Sequence, residues 1–106
     1  MNQASARLES LREMYKREPR DGFVAYGLAM ELAKSPATED EAVRTFRKLL
    51  EDAPAYLPAY LQLGLLLVRR GEEADAKQIY SQGITLAHSQ GDRHTQAELE
   101  GALNML

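Results

Sequence analysis

The sequence predicts an all-α fold of six helices that pair in succession. Helix-forming residues dominate and β-branched residues are sparse, so no stretch alternates apolar and polar residues long enough to read as a strand. Apolar residues instead recur three and four apart, the spacing that lines one side of a helix. The same residue types also return at offsets of 34 and 35, as Ala42 and Ala76 or Pro19 and Pro54 do.

The first helix is expected over 4–18, with Leu8, Leu11, Met14 and Tyr15 as its stripe and Pro19 as its stop. Asp21 is placed to cap a second helix reaching about Lys34, in which Phe23, Tyr26, Gly27 and Met30 share a face. Pro36 breaks the chain in the turn from Ser35 to Glu39. Thr38 and Glu41 have the spacing of a capping box at the head of a third helix, whose stripe is Val43, Phe46, Leu49 and Leu50. The fourth helix, Leu57 to Arg70, has almost no polar side, which marks a helix covered by neighbours on several sides. Gly71 closes it, and Glu72, Glu73 and Asp75 suit the positive end of a fifth helix carrying Ile79, Tyr80, Ile84 and Ala87. Gly91 ends that helix, and Asp92 caps a last one with Leu99, Ala102, Leu103 and Leu106 as its stripe.

A repeat runs through these elements. Ala42 and Phe46 return as Ala76 and Tyr80, 34 residues on, and Leu11 precedes Pro19 by the eight residues that separate Phe46 from Pro54. Gly27 and Gly64 lie 37 apart, which implies three extra residues in the turn at Ser35 to Glu39.

A period of 34 built from helix pairs resembles the tetratricopeptide repeat. The second unit carries that pattern in Tyr60, Leu63, Gly64, Leu67, Gly71, Ala76, Tyr80 and Gly83, with His88 in place of the usual terminal proline. The first carries it in Phe23, Tyr26, Gly27, Met30, Ala42, Phe46 and Pro54, with Leu49 at a normally small site. The resemblance implies helix-turn-helix repeats stacked as a short right-handed superhelix in one domain spanning 1–106. Repeat one would occupy 21–54 and repeat two 56–89, between a leading helix and a capping helix at 92–106. Gly27, Gly64, Ala42 and Ala76 would let backbones approach closely, and the aromatics are packing residues.

In this family the first helix of each pair lines a concave groove that holds a partner segment. By register from the glycines, the groove would show Val24, Leu28 and Glu31, then Leu61, Gln62, Leu65, Val68 and Arg69. That surface is largely apolar. Members that clamp a carboxylate terminus use Lys and Asn there, because a charged terminus needs charge-assisted donors. Val24 and Leu28 stand at the matching places, so an amphipathic helix fits better. The resemblance thus implies a protein-interaction scaffold; the alternative is a self-associating module whose apolar face is covered by the last helix or by a second copy in a homodimer.

Composition narrows the rest. With 106 residues, 44% hydrophobic and 27% charged, the chain is expected to be one soluble domain. A net charge of -3 with both signs interspersed gives no basic stripe for a phosphate backbone, so no nucleic-acid partner is expected. The apolar run from Leu57 to Val68 is shorter than the roughly 20 helical residues a bilayer needs, and MNQASARLES contains no apolar signal core. With no cysteine, disulfides and thiolate zinc sites are excluded, and a reducing, cytoplasmic setting is the expectation. His88 and His94 flank Asp92, but they lack helical ligand spacing and a third strong ligand. The acidic groups Glu39 to Glu41 and Glu72 to Asp75 sit at helix starts, where they oppose the dipole. No catalytic motif, metal site or cofactor is expected, and the chain does not read as an enzyme.

Overall fold

The breakers and caps in the sequence set the helix boundaries. The computed structural model describes residues 3–106, with side chains from residue 6 onward. Six α-helices follow one another: α1 (Gln3–Arg17), α2 (Gly22–Leu32), α3 (Glu39–Asp52), α4 (Pro58–Arg69), α5 (Glu73–Gln90) and α6 (Arg93–Asn104), with a short 3-10 turn at Pro36–Thr38. They form two compact units, the first ending at Pro54 and the second running from Ala55 to Leu106. Among the described residues no helix is long and apolar enough to cross a membrane.

Local chemistry closes most ends as expected. The Asp21 carboxylate accepts from the Phe23 and Val24 amides at 2.9 and 3.2 Å, satisfying two of the donors that every helix start leaves open. Gly71 and Gly91 have φ of +80° and +72°, the left-handed region where a side chain is strained. At α4 the Gly71 amide donates to Val68 at 2.9 Å and the Glu72 amide to Leu67 at 2.8 Å. At α5 the Gly91 amide donates to His88 and the Asp92 amide to Ala87, at 3.1 and 2.9 Å. These paired bonds are one Schellman turn used twice.

The Thr38–Glu41 capping box does not form. The Thr38 hydroxyl reaches backwards and donates to the Leu32 and Ser35 carbonyls, so it secures the C-terminal end of α2 rather than the head of α3. Glu41 instead meets Arg12 of α1 in a two-pronged ion pair, with Arg12 Nη2 3.0 Å from Glu41 Oε1. A carboxylate that accepts a guanidinium fork gains more than one reaching back to a single amide.

In the first unit α2 packs against α1 and α3. Val24, Ala25, Leu28, Ala29 and Leu32 of α2 are buried, as are Ala42, Thr45, Phe46 and Leu49 of α3. The Phe46 ring meets Tyr26 edge to face, with centroids 6.3 Å apart.

The second unit is built on two side-chain-free positions. A Cβ added at Gly64 of α4 would lie 2.2 Å from Tyr80 Cε1 of α5, so the ring lies flush against the α4 backbone. At Gly83 of α5 an added Cβ would be 2.8 Å from Tyr60 Cβ and 3.0 Å from Leu99 Cδ1. Gly83 therefore sits between α4 on one side and α6 on the other. Tyr80, Leu63, Leu67 and Leu99 are no more than 1% exposed, and burial of such a side chain contributes about 1.5–3 kcal/mol. Burial also holds the Tyr60 and Tyr80 hydroxyls above the usual phenol range, as suits packing residues.

The Asp92 carboxylate caps α6. The Thr95 amide donates to it at 3.0 Å and the Thr95 hydroxyl at 2.9 Å. These bonds, the amide first, hold the carboxyl below its ordinary range against desolvation, with His94 acting in the same direction.

Two predictions follow from these contacts. Gly64→Ala should destabilise the chain by at least about 1–3 kcal/mol, because Tyr80 has to leave its place. Gly27→Ala should be neutral or stabilise by up to about 1 kcal/mol, since its Cβ would meet only Leu11 Cδ2 at 3.4 Å, ordinary contact distance. Denaturant unfolding of both variants checks the pair. For Asp92, a depressed folded pKa means that its contribution is complete above the unfolded value of about 3.9 and is lost as pH falls through the folded value. The Thr95 amide resonance should move through that acid window in the wild type and stay still in Asp92→Asn, which retains the cap.

Candidate protein-interaction face

Burial along α2 and α4 shows how the two first helices correspond. Val24, Ala25, Leu28, Ala29 and Leu32 are buried on α2; Ala59, Tyr60, Leu63, Gly64 and Leu67 are buried on α4, each 35 residues later. Phe23 and Pro58, likewise 35 apart, are both exposed. The equivalent of Gly64 is therefore Ala29, which is fully buried, and not Gly27. Aligning the two glycines displaces α2 by two residues and reads three extra residues into the turn at Ser35 to Glu39. Ala29 to Ala42 is one residue longer than Gly64 to Ala76, so the insertion is one residue.

This shift relocates the candidate site residues on α2. Val24 and Leu28 are 6% and 2% exposed, so they are core side chains and do not line a surface. Their register was drawn from a glycine that has no close-packing role. Glu31 is also mostly covered, with its carboxylate 2.9 Å from Lys34 Nζ. The residues equivalent to Leu61, Leu65, Val68 and Arg69 are Tyr26 and Met30 of α2 and, just past its end, Ala33 and Lys34. Tyr26, Met30 and Ala33 are half-buried, Lys34 is exposed, and Phe23 stands one turn before Tyr26 with 76% exposure. The leucine-small pairs Leu28–Ala29 and Leu63–Gly64 carry this alignment in the sequence, as does the 35-residue step from Pro19 to Pro54.

On α4 the site residues do share a face. Leu61, Leu65 and Val68 fall at i, i+4 and i+7, so they stack along one side of the helix. Leu65 is 46% exposed, Leu61, Gln62 and Val68 are half-buried, and Arg69 is exposed. The opposite side of the same helix carries Leu63, Leu66 and Leu67, all buried. α6 docks on α5, with Leu99 against Gly83, and leaves Leu65 open.

His94 Nε2 is 3.5 Å from Glu98 on the exposed side of α6, and His88 is exposed in the last turn of α5. Among the described residues no three His, Cys, Asp or Glu side chains gather as a metal site.

The fold defines a class of helical-repeat protein, and known structures give it a family. A tetratricopeptide repeat domain protein from Salinibacter ruber is 34% identical; the match covers 80% of this chain and 93% of that one, with a TM-score of 0.73. At that identity and coverage the chain belongs to the tetratricopeptide repeat family. A protein from Bordetella parapertussis is 28% identical over 92% of this chain and 84% of its own, with a TM-score of 0.78. The TPR2B domain of yeast Sti1, solved as a complex with pHsp70, is 23% identical over 92% and 77%, with a TM-score of 0.83, a likeness of fold. No family model matches the chain, and no curated protein does.

The register is testable through stability. Leu28→Glu should unfold the first unit, because an unpaired buried carboxylate costs several kcal/mol. Leu65→Glu should shift stability by no more than about 0.5 kcal/mol, as an exposed position does. Thermal melts of the two variants separate the outcomes.

Proposed function

We propose that this protein is a protein-interaction scaffold, without catalytic activity, that takes an amphipathic helix of a partner protein on the outer face of α4. The observation that carries this reading is Leu65, 46% exposed on a helix whose other side is buried, with Leu61 and Val68 beside it in a stripe. An amphipathic partner helix presents apolar side chains at the same i, i+4, i+7 spacing, so its residues can interleave with these three.

The polar groups along α4 do not favour a charged terminus. Gln62 is the one amide on that helix, and Arg69 lies at its end. The corresponding stripe on α2, Tyr26 and Met30, is likewise aromatic and apolar where a carboxylate clamp would need Lys and Asn. Partner choice therefore rests on shape and apolar contact.

Affinity capture with wild-type and Leu65→Glu protein tests the proposal. Partners held by the face should fall at least about tenfold in recovery with Leu65→Glu, the effect of losing roughly 1.4 kcal/mol. Identical recovery of every specific partner would remove α4 from the account. Sedimentation of the wild type across the micromolar range distinguishes the foreign helix from a second copy of the chain, which would give a concentration-dependent dimer abolished by the same substitution.

A further inference from the structure

α1 is fastened differently from every other helix. Each of α2 to α6 places at least one buried side chain in its unit, whereas α1 places none among its described residues. Its inner side chains Leu8, Leu11 and Tyr15 are only half-buried, and Met14 is 44% exposed. The apolar area it removes from water is correspondingly small.

Beside that weak apolar contact stands one two-pronged polar tie to another helix. Arg12 presents both Nη atoms to the two Glu41 carboxylate oxygens across 29 residues of sequence. The pair bypasses α2 and joins α1 to the first turn of α3. The two side chains are 39% and 33% exposed, so water and salt reach them. Among the described side chains of α1, Lys16 also pairs with Glu13 at 3.4 Å, a contact that stays within the helix.

We propose that the Arg12–Glu41 pair is a salt-sensitive latch, and that α1 swings off the first unit as one piece while α2 and α3 stay folded. What α1 covers gives the motion a consequence. Leu11 rests over Gly27, at ordinary contact distance from where a Cβ would stand, and Gly27 lies between Phe23 and Met30 along α2. Opening bares Leu8, Leu11 and Tyr15 together with the α2 surface around Gly27.

Backbone hydrogen exchange on the intact chain tests this, with α4 to α6 as the internal reference. Corrected for intrinsic rates, α1 amides should exchange about fivefold faster in Arg12→Gln and in Glu41→Gln, while α3 amides beyond the first turn and those of α4 to α6 keep their wild-type rates. The double variant should be no faster than either single one, since both remove the same pair. Raising salt should speed α1 exchange in the wild type and leave Arg12→Gln unchanged. Unchanged α1 rates in both single variants, or equal acceleration of α1, α2 and α3, would overturn the latch.

Discussion

The arrangement of the second unit depends on one close approach: the Tyr80 ring against a helix position with no side chain. An added Cβ at Gly64 would fall within 2.2 Å of that ring, so any larger residue forces the α4 and α5 axes apart. This contact, together with the buried Leu63 and Leu67, fixes the rotation of α4 about its own axis. Residues that follow each other on a helix point about 100° apart, so Leu67 and Leu63 lie about 60° and 100° to one side of Gly64, and the three define the inward arc. Leu65 lies about 100° to the other side and is exposed, while Leu61 and Val68, between it and Gly64, are half-buried. The candidate face is thus set by the whole buried set of α4. In the first unit Ala29 takes the same place, and α2 is rotated so that Tyr26 and Met30 lie where Leu61 and Leu65 do.

That dependence explains which parts of the molecule are legible in the sequence. Helix ends are, because each is set by a few adjacent residues: Asp21 and Asp92 as caps, Gly71 and Gly91 in left-handed turns. The all-α pairing is legible too, since the 34–35 residue period needs no knowledge of rotation. The face of α2 is not, because either Gly27 or Ala29 can stand for the small site and they lie two residues apart. The 35-residue step from Pro19 to Pro54 and the pair Leu28–Ala29 favour Ala29, and the buried set Val24, Ala25, Leu28, Ala29 and Leu32 decides between them. The face of α4 is legible, because Gln62 and Arg69 stand on the same side as Leu65 and the register from Gly64 places Leu65 outward. The Arg12–Glu41 pair is beyond a local reading altogether, since Glu41 has the spacing of a capping-box residue and its partner lies 29 positions away.

The two flanking helices show two ways of attaching a helix to a pair. α6 inserts Leu99, fully buried, beside Gly83 and starts on a satisfied Asp92 cap. Apolar insertion is not weakened by charge screening and is lost when the core of its unit opens. α1 relies on a guanidinium-carboxylate fork in partly exposed surroundings, and the Glu41 bond favours the charged form of Arg12. Such a pair contributes little when water reaches it and less as ionic strength rises. The helices therefore respond to different conditions despite similar lengths, 15 and 12 residues.

Magnitudes constrain what the α4 stripe can do. Completing the burial of Leu61, Leu65 and Val68 stabilises a complex by about 0.8–1.5 kcal/mol for each residue, because each begins half-covered and full burial is worth about 1.5–3. Three such contacts sum to about 2–4.5 kcal/mol, at or below the low end of the roughly 4–15 kcal/mol that association costs in lost freedom. A partner that touched only these side chains would bind weakly. One that binds tightly has to bury further surface and arrive already helical, so that little ordering cost remains. The stripe then sets the register of the partner helix through its i, i+4, i+7 spacing, while affinity comes from whatever the rest of that helix covers.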